Sequence, residues 1–319
     1  MKAAVVLRYG PPEAVVVTER PTPAPGRGEA LVQVKAAAVT AGDARLRGGR
    51  FPPGFGPLAR LAVGLRGPRQ RVLGAAFSGV VVEVGPGVTT VSPGDEVSGM
   101  NGARMGAHAE FVAVPATCLV SKPTDLGHAE AAGVLFGGTT ALHFLRDRAK
   151  VSPGARVLVN GASGAVGSSA VQLAKHLGGM VTAVTSAKNA SFVSRLGADE
   201  VVDYAVTPVS ALTSRYDIVL DAVGNISRAG GLRLLAPEGS VVLAAANLWD
   251  TLRASGRVIA GPAPERAEQV AELLRLATEG QLDPVTEQLG GLETLPEAYR
   301  RIDSGRKVGN LVILPGMSQ

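Results

Sequence analysis

The sequence predicts an α/β protein in two parts, a β-rich, barrel-like part followed by a doubly wound parallel sheet. Three observations carry this. Over roughly the first 120 residues, short valine-rich runs at 14–19, 30–38, 80–84 and 111–114 are separated by turns such as Pro25-Gly26, Pro86-Gly87 and Pro93-Gly94, the punctuation of short strands in a compact barrel. From about Lys122 onward, apolar strand-like runs alternate with segments of helical length, the signal of a parallel sheet covered on both faces. A chain of 319 residues is also too long for one ordinary core.

The opening run, 1–7, is apolar and is closed at once by Arg8-Tyr9-Gly10-Pro11-Pro12. It reads as a first strand; a signal peptide needs a longer apolar core and a small-residue cleavage site. No run approaches the 18 apolar residues of a membrane span. Cys118 is the only cysteine, which excludes an internal disulfide and agrees with a reducing compartment. A cytoplasmic location is expected. The net charge of +5 suits a phosphate-bearing cofactor, an acidic partner or simple solubility.

In the second part the strand runs are 156–160, 180–185, 200–203, 216–221 and 240–244, with helical segments at 166–177, 189–196 and 228–235. A short run, Arg257-Val258-Ile259-Ala260, reads as a terminal strand whose open edge invites pairing with its copy in a homodimer. The tail holds a helix near 265–279, a turn-rich segment and a last strand at 311–314, placed too late to extend the repeating units and so expected back in the first part.

The strongest local signal is Asn160-Gly161-Ala162-Ser163-Gly164-Ala165-Val166-Gly167. A strand runs into a turn of small residues that opens directly into a helix, so that backbone N–H groups can approach a pyrophosphate at the helix N-terminus. Gly167 lets the helix pack closely on the strand. The spacing is G-x-x-G-x-x-G rather than G-x-G-x-x-G, and a glycine turn without a ligand is the plain alternative. The second strand ends in Thr185-Ser186-Ala187-Lys188-Asn189. An NAD site places a carboxylate here to accept from the ribose 2′-OH; hydroxyls and a lysine instead suit the 2′-phosphate of NADPH. Lys188 as a solvated helix-start residue is the alternative. Tyr204, at the end of the third strand, either flanks the adenine or its phosphate or packs inside.

Taken in order, Lys2-Ala3, Tyr9-Gly10-Pro11-Pro12-Glu13, Gly79-Val80-Val81-Val82-Glu83-Val84-Gly85, Gly94-Asp95-Glu96-Val97, Ala109-Glu110-Phe111-Val112, Thr140-Ala141-Leu142, the glycine turn, Leu196-Gly197-Ala198-Asp199 and Asp221-Ala222-Val223-Gly224 resemble the zinc-independent quinone oxidoreductase (zeta-crystallin-like) branch of the medium-chain dehydrogenase/reductase superfamily. The resemblance implies a GroES-like barrel built from both chain ends, 1–122 and 265–319, with a Rossmann NADPH-binding domain, 123–264, inserted between them. It implies Thr40 and Thr140 near the nicotinamide half of the cofactor, Val223-Gly224 and Ala244-Ala245 along its path, and Asn310 approaching from the tail. Thr40 and Asp43 are the candidate catalytic residues, with a structural role for Asp43, pinning the loop backbone, as the alternative. The chain departs from the branch where relatives carry Asn (here Thr40), an acid after Gly74 (here Ala75-Ala76) and a basic residue near the end (here Asn310).

No metal is expected. Zinc needs three or four Cys, His or carboxylate ligands at close range; Cys118 cannot build a thiolate cluster, and His108, His128, His143 and His176 stand away from the family's ligand positions. Without a Lewis acid, alcohol oxidation is hard, whereas a quinone or other conjugated carbonyl accepts hydride at carbon and spreads the charge. The expected reaction is therefore NADPH-dependent hydride transfer to a quinone, with enone or 2-enoyl reduction as the enzymatic alternative.

Between Asp43 and Glu83 there is no acid, but there are seven arginines, Arg45, Arg47, Arg50, Arg60, Arg66, Arg69 and Arg71, interleaved with Phe51, Phe55, Leu58, Leu61 and Leu65. This region reads as a solvated rim on a hydrophobic lid; its alternatives are to steer anions, touch a membrane surface or bind RNA. A nucleotide-binding protein whose task is RNA binding is the rival from another class, opposed by the lack of a recognisable RNA module and the scarcity of aromatics.

Overall fold

In the first part, β-branched and small residues between Pro/Gly turns give strands β1 (Lys2–Val6), β2 (Val15–Glu19), β3 (Glu29–Val39), β4 (Ala76–Val84), β5 (Glu96–Met100), β6 (Phe111–Pro115) and β7 (Leu119–Ser121), with helices α1 (Ala41–Gly48) and α2 (Gly56–Val63) between β3 and β4. The computed structural model describes residues 1–51 and 53–317, without the side chains of Pro57 and Leu58. The side chain of Leu58 in the basic loop and the last two residues of the first domain thus lie outside what is described.

β3 is the spine of this part. Glu29 to Gln33 pair with β6, Ala30 to Ala37 pair with β4, and the end, Ala37 to Val39, pairs with the last strand of the chain. Register shifts between Leu31 and Val32 and between Val34 and Ala36 bend it, which lets one strand serve several partners.

The second part contains α3 (His128–Leu142), β8 (Arg156–Asn160), α4 (Ala165–His176), β9 (Met180–Thr185), α5 (Ala190–Arg195), β10 (Glu200–Asp203), β11 (Tyr216–Asp221), α6 (Arg228–Arg233), β12 (Leu235–Leu243), α7 (Leu248–Leu252), β13 (Val258–Ala260) and α8 (Ala267–Thr278). Its strands form one parallel sheet in the order β10-β9-β8-β11-β12-β13. The order reverses between β8 and β11, and the crevice at such a reversal is where open α/β sheets bind ligands. The four strands expected from 156 to 221 have the expected bounds; the fifth begins earlier, at Leu235. The chain then closes with β14 (Thr286–Gln288), α9 (Leu295–Asp303) and β15 (Asn310–Ile313). β15 returns to β3, so both chain ends build the GroES-like part.

Helices α1, α2, α7 and α9 escape the sequence reading. α9 lies inside the segment read as turn-rich. It is short and polar, and only Leu295, Ala298 and Tyr299 mark its buried face. α3 is buried nearly all round, so it has no polar stripe to reveal its period. It packs on α4 and α8 and also on β3, β4, β5 and β15. The largest core accordingly crosses between the parts, joining Ala38, Ala76 and Met100 to Leu135, Val171 and Leu273.

Candidate active site

The glycine turn joins β8 to α4. Gly161 has φ +82°, and a Cβ there would lie 2.6 Å from Val223 Cγ2. At Gly167 a Cβ would lie 2.0 Å from the Gly161 carbonyl oxygen, so the helix rests on the turn as the small-residue pattern requires. Gly164 is the N-cap of α4 and supplies no side chain to its first turn. The N–H groups of Gly161, Ala162 and Gly164 are bonded to backbone carbonyls, so it is the first N–H groups of α4 that are left to an anion, where the helix dipole favours negative charge.

Three sets of contacts hold the turn. The Ser163 hydroxyl accepts from Thr185 Oγ1 and Asn189 Nδ2, each at 3.1 Å, which ties the turn to the end of β9. From the other part of the molecule, the Gly309 N–H donates to the Ser163 carbonyl at 2.9 Å, and Gly164 and Gly309 form an isolated parallel bridge. Behind the turn, buried Asp221 accepts from Asn160 Nδ2 at 2.9 Å, from the N–H groups of Val223 and Gly224 at 3.0 Å, and from that of Ile226 at 2.9 Å. This carboxylate fixes the loop after β11 and leaves Val223 51% exposed.

A cleft of about 820 Å³ opens over the turn. It runs from Lys188 and Tyr204, past the turn, to Thr40 and Phe136 at the barrel end. It brings together Thr40, Gly161, Ser163, Gly164, Ala165, Val166, Gly167, Thr185, Ser186, Lys188, Tyr204, Val223 and Asn310 from the sequence reading. Tyr204 is 54% exposed, so of its two alternatives the packed one fails. The remaining candidates are not part of this lining. Gly224 and Ala245 line a side pocket of about 400 Å³ that shares Ala41, Val223 and Ile302 with the cleft. Ala244 packs against the core, and the Thr140 hydroxyl donates to the Phe136 carbonyl at 2.8 Å.

The sequence reading did not single out Phe136, Arg306 or Lys307 for the lining. Lys307 and Arg306 stand three and four residues before Asn310, whose own amide donates to the Pro284 carbonyl at 2.7 Å. Lys307 Nζ donates to the Gly309 carbonyl; burial first, then the charge of Arg301, lowers its pKa to about 8. Among the described residues no Asp or Glu lines the cleft, whereas Lys188, Arg306 and Lys307 do. The shape and the charge both fit a dinucleotide with an additional phosphate.

Asp43 lies behind the cleft, 1% exposed. Its Oδ2 accepts from the Thr40 N–H at 2.8 Å and the Thr40 hydroxyl at 2.6 Å, and its Oδ1 accepts from the Gly74 N–H at 3.0 Å. With Thr40 Oγ1 accepting from the Asp43 N–H, the two form a capping box that starts α1. The histidines have other partners. His108 Nε2 lies 3.1 Å from the Ala38 carbonyl, and burial holds its pKa down. His128 Nδ1 meets Ser78 Oγ at 2.7 Å, and His143 lies 3.7 Å from Asp147. Among the described residues no three His, Cys, Asp or Glu side chains gather as a metal would require.

The family models that match describe an alcohol dehydrogenase GroES-like domain over residues 26–124 and a zinc-binding dehydrogenase over residues 196–313. The chain is 30% identical to a chloroplastic quinone oxidoreductase of Triphysaria versicolor, covering 93% of each chain. It is 35% identical, over 76% of its length, to the polyketide synthase protein NorB of Streptomyces orinoci, of which it spans 12%. Among solved structures, the quinone oxidoreductase of Coxiella burnetii is similar with a TM-score of 0.88 at 27% identity, covering 98% of this chain and 99% of that one. A mycobacterial protein complexed with NADPH is similar at 0.81 and 28%, covering 99% and 100%.

The hydrogen bonding of Asp43 makes a prediction. Asp43→Asn replaces an acceptor facing three donors by a group with only one acceptor oxygen, and should lower stability by about 1.5–3 kcal/mol. Below its melting temperature the variant should keep the pH profile of turnover. Disappearance of an ionisation step from that profile would instead assign Asp43 to the chemistry.

Proposed function

The chain belongs to the medium-chain dehydrogenase/reductase superfamily, in its quinone oxidoreductase branch, and is an NAD(P)H oxidoreductase; from this premise we propose that it uses NADPH, without zinc, to reduce a quinone or another conjugated carbonyl compound. The observation that carries the reading is the cleft, which joins the uncapped start of α4 to Ser186 and Lys188 and has three basic residues and no acidic one in its described lining.

In this reading the N–H groups at the start of α4, Ala165 to Gly167, hold the pyrophosphate. Ser186 and Lys188 take the adenosine 2′-phosphate beside Tyr204, and Arg306 and Lys307 add positive charge from the barrel side. NADPH when bound supplies the hydride. What the chain contributes is position. Val39, Phe136 and Leu311 make the wall around Thr40 apolar. The Thr40 hydroxyl donates to Asp43, so its proton is committed to the cap. Thr40 and Asp43 then act by positioning the barrel-side wall, and solvent water protonates the acceptor. A conjugated carbonyl suits such a site because it accepts hydride at carbon without a metal to hold its oxygen. The single cysteine suits the cytoplasm, and the end position of β13 in the sheet suits a homodimer joined through that edge.

Assay of the full-length enzyme with a panel of quinones, enones and alcohols should show NADPH consumption with the first two classes. Dialysis against a strong chelator should leave that turnover unchanged; activity lost and restored only by zinc would overturn the metal-free reading. Static light scattering at micromolar concentration should give twice the chain mass, and a monomer there refutes the dimer.

Cofactor choice is tested at Lys188. A charged hydrogen bond contributes roughly 1.5–3 kcal/mol, so Lys188→Ala should weaken NADPH binding by about one to two orders of magnitude and barely alter NADH. Ser186→Asp should go further, repelling the 2′-phosphate and offering the 2′-OH of NADH an acceptor. Equal losses for both cofactors would leave Lys188 a structural residue only.

A further inference from the structure

We propose that the face formed by α2 and the end of β1 docks on an anionic lipid bilayer. The chain from residue 44 to 82 holds no acidic residue, and the fold folds its arginines back against the start of the chain. The Val6 N–H donates to the Arg71 carbonyl at 2.8 Å, and that of Tyr9 to the Arg66 carbonyl at 3.2 Å. The Tyr9 hydroxyl donates to the Gly64 carbonyl at 2.6 Å. Gly67 lies against the backbone of Leu7 and Arg8, where a Cβ would come within 2.5 Å of the Leu7 carbonyl oxygen. Arg69 closes the group by donating to the Leu61 carbonyl at 3.0 Å.

The result is one patch with two kinds of surface. Leu7, Leu61 and Leu65 are 56%, 63% and 69% exposed. Around them Arg8, Arg60, Arg66, Arg69 and Arg71 are exposed, and none forms an ion pair among the described residues. Singly exposed leucines are ordinary, but three of them on segments that also carry five exposed arginines without an ion pair among the described residues need a partner that takes both. A second copy of the chain would set arginine against arginine. A nucleic acid would use the charge but leave the leucines in water, and Arg60 over the Tyr9 ring takes that face from bases. A bilayer with anionic headgroups takes both at once: phosphates accept from the guanidinium groups while the leucines enter the acyl boundary.

The patch adjoins the site along the chain. Phe51 and Pro53, just before α2, line the side pocket that shares residues with the cofactor cleft. Docking through α2 would therefore hold that pocket near the membrane, where an apolar acceptor dissolves. The binding argument itself rests on charge and exposure and does not depend on which acceptor is reduced.

The test is co-sedimentation of the full-length protein with vesicles of phosphatidylcholine alone or of phosphatidylcholine mixed with phosphatidylglycerol. Binding should require the anionic lipid and weaken at high salt, since exposed charges are screened. Each arginine near the surface should contribute about fivefold, so the pair Arg66→Gln and Arg69→Gln should bind about 25-fold more weakly. Leu61→Ser with Leu65→Ser should also release the protein, and all variants should keep wild-type turnover of a water-soluble acceptor without vesicles. No binding to anionic vesicles, equal binding to neutral ones, or binding unchanged in the variants overturns the proposal. So does a gel shift with RNA, or a concentration-dependent rise in mass, that these variants abolish while vesicle binding is absent.

Discussion

The packing of α3 between the two sheets sets the geometry on which the site depends. Its glycines let the helix sit at backbone contact with three neighbours at once. A Cβ on Gly133 would come within 2.3 Å of Thr286 Oγ1, one on Gly137 within 2.3 Å of the Ala165 carbonyl, and one on Gly138 within 2.9 Å of Leu273. Glycine inside a helix costs roughly 0.5–1 kcal/mol relative to alanine, and here the close approach offsets that cost. Because Ala165 begins α4, the same contact positions the glycine turn relative to the barrel. The hydrogen bond from Gly309 to Ser163 ties the cleft's other side. One helix and one strap thus set the width between the parts.

Charge is distributed around this frame with a clear division. Two carboxylates bonded to residues of the cleft lining, Asp43 and Asp221, are each 1% exposed. Such burial is costly unless the charge is hydrogen-bonded, and backbone N–H groups of Thr40, Gly74, Val223, Gly224 and Ile226 together with two side-chain donors provide the bonding. The negative charge is used to hold loops in shape, and the open lining is left to Lys188, Arg306, Lys307 and the start of α4. A polyanionic ligand meets favourable charge along the cleft without a metal being needed to neutralise it.

Some of this is legible residue by residue. Strands 156–160, 180–185, 200–203 and 216–221 are apolar runs between turn residues, and a buried parallel strand has little else to be, so their bounds agree with β8 to β11. The glycine turn and the residues after β9 are local in sequence, so their meeting in the cleft follows from the βαβ unit itself. α1, α2, α7 and α9 were not legible. All four are short, and α9 shows its three buried residues only once the barrel to pack against is known.

The sequence by itself determined the two-part α/β architecture, the glycine cradle, and the lack of an acid where Ser186 and Lys188 follow the second strand, because each is written in neighbouring residues whose local geometry is nearly independent of the rest. Tertiary structure alone decided which distant groups share the cleft. Lys307 and Arg306 reach the turn only because β15 pairs with β3, more than 270 residues earlier in the chain. Asp43, in the first turn of α1, is held by the N–H of Gly74, 31 residues later in the chain. Such placements depend on strand pairing and burial between segments far apart in sequence, and no local pattern of residues encodes them.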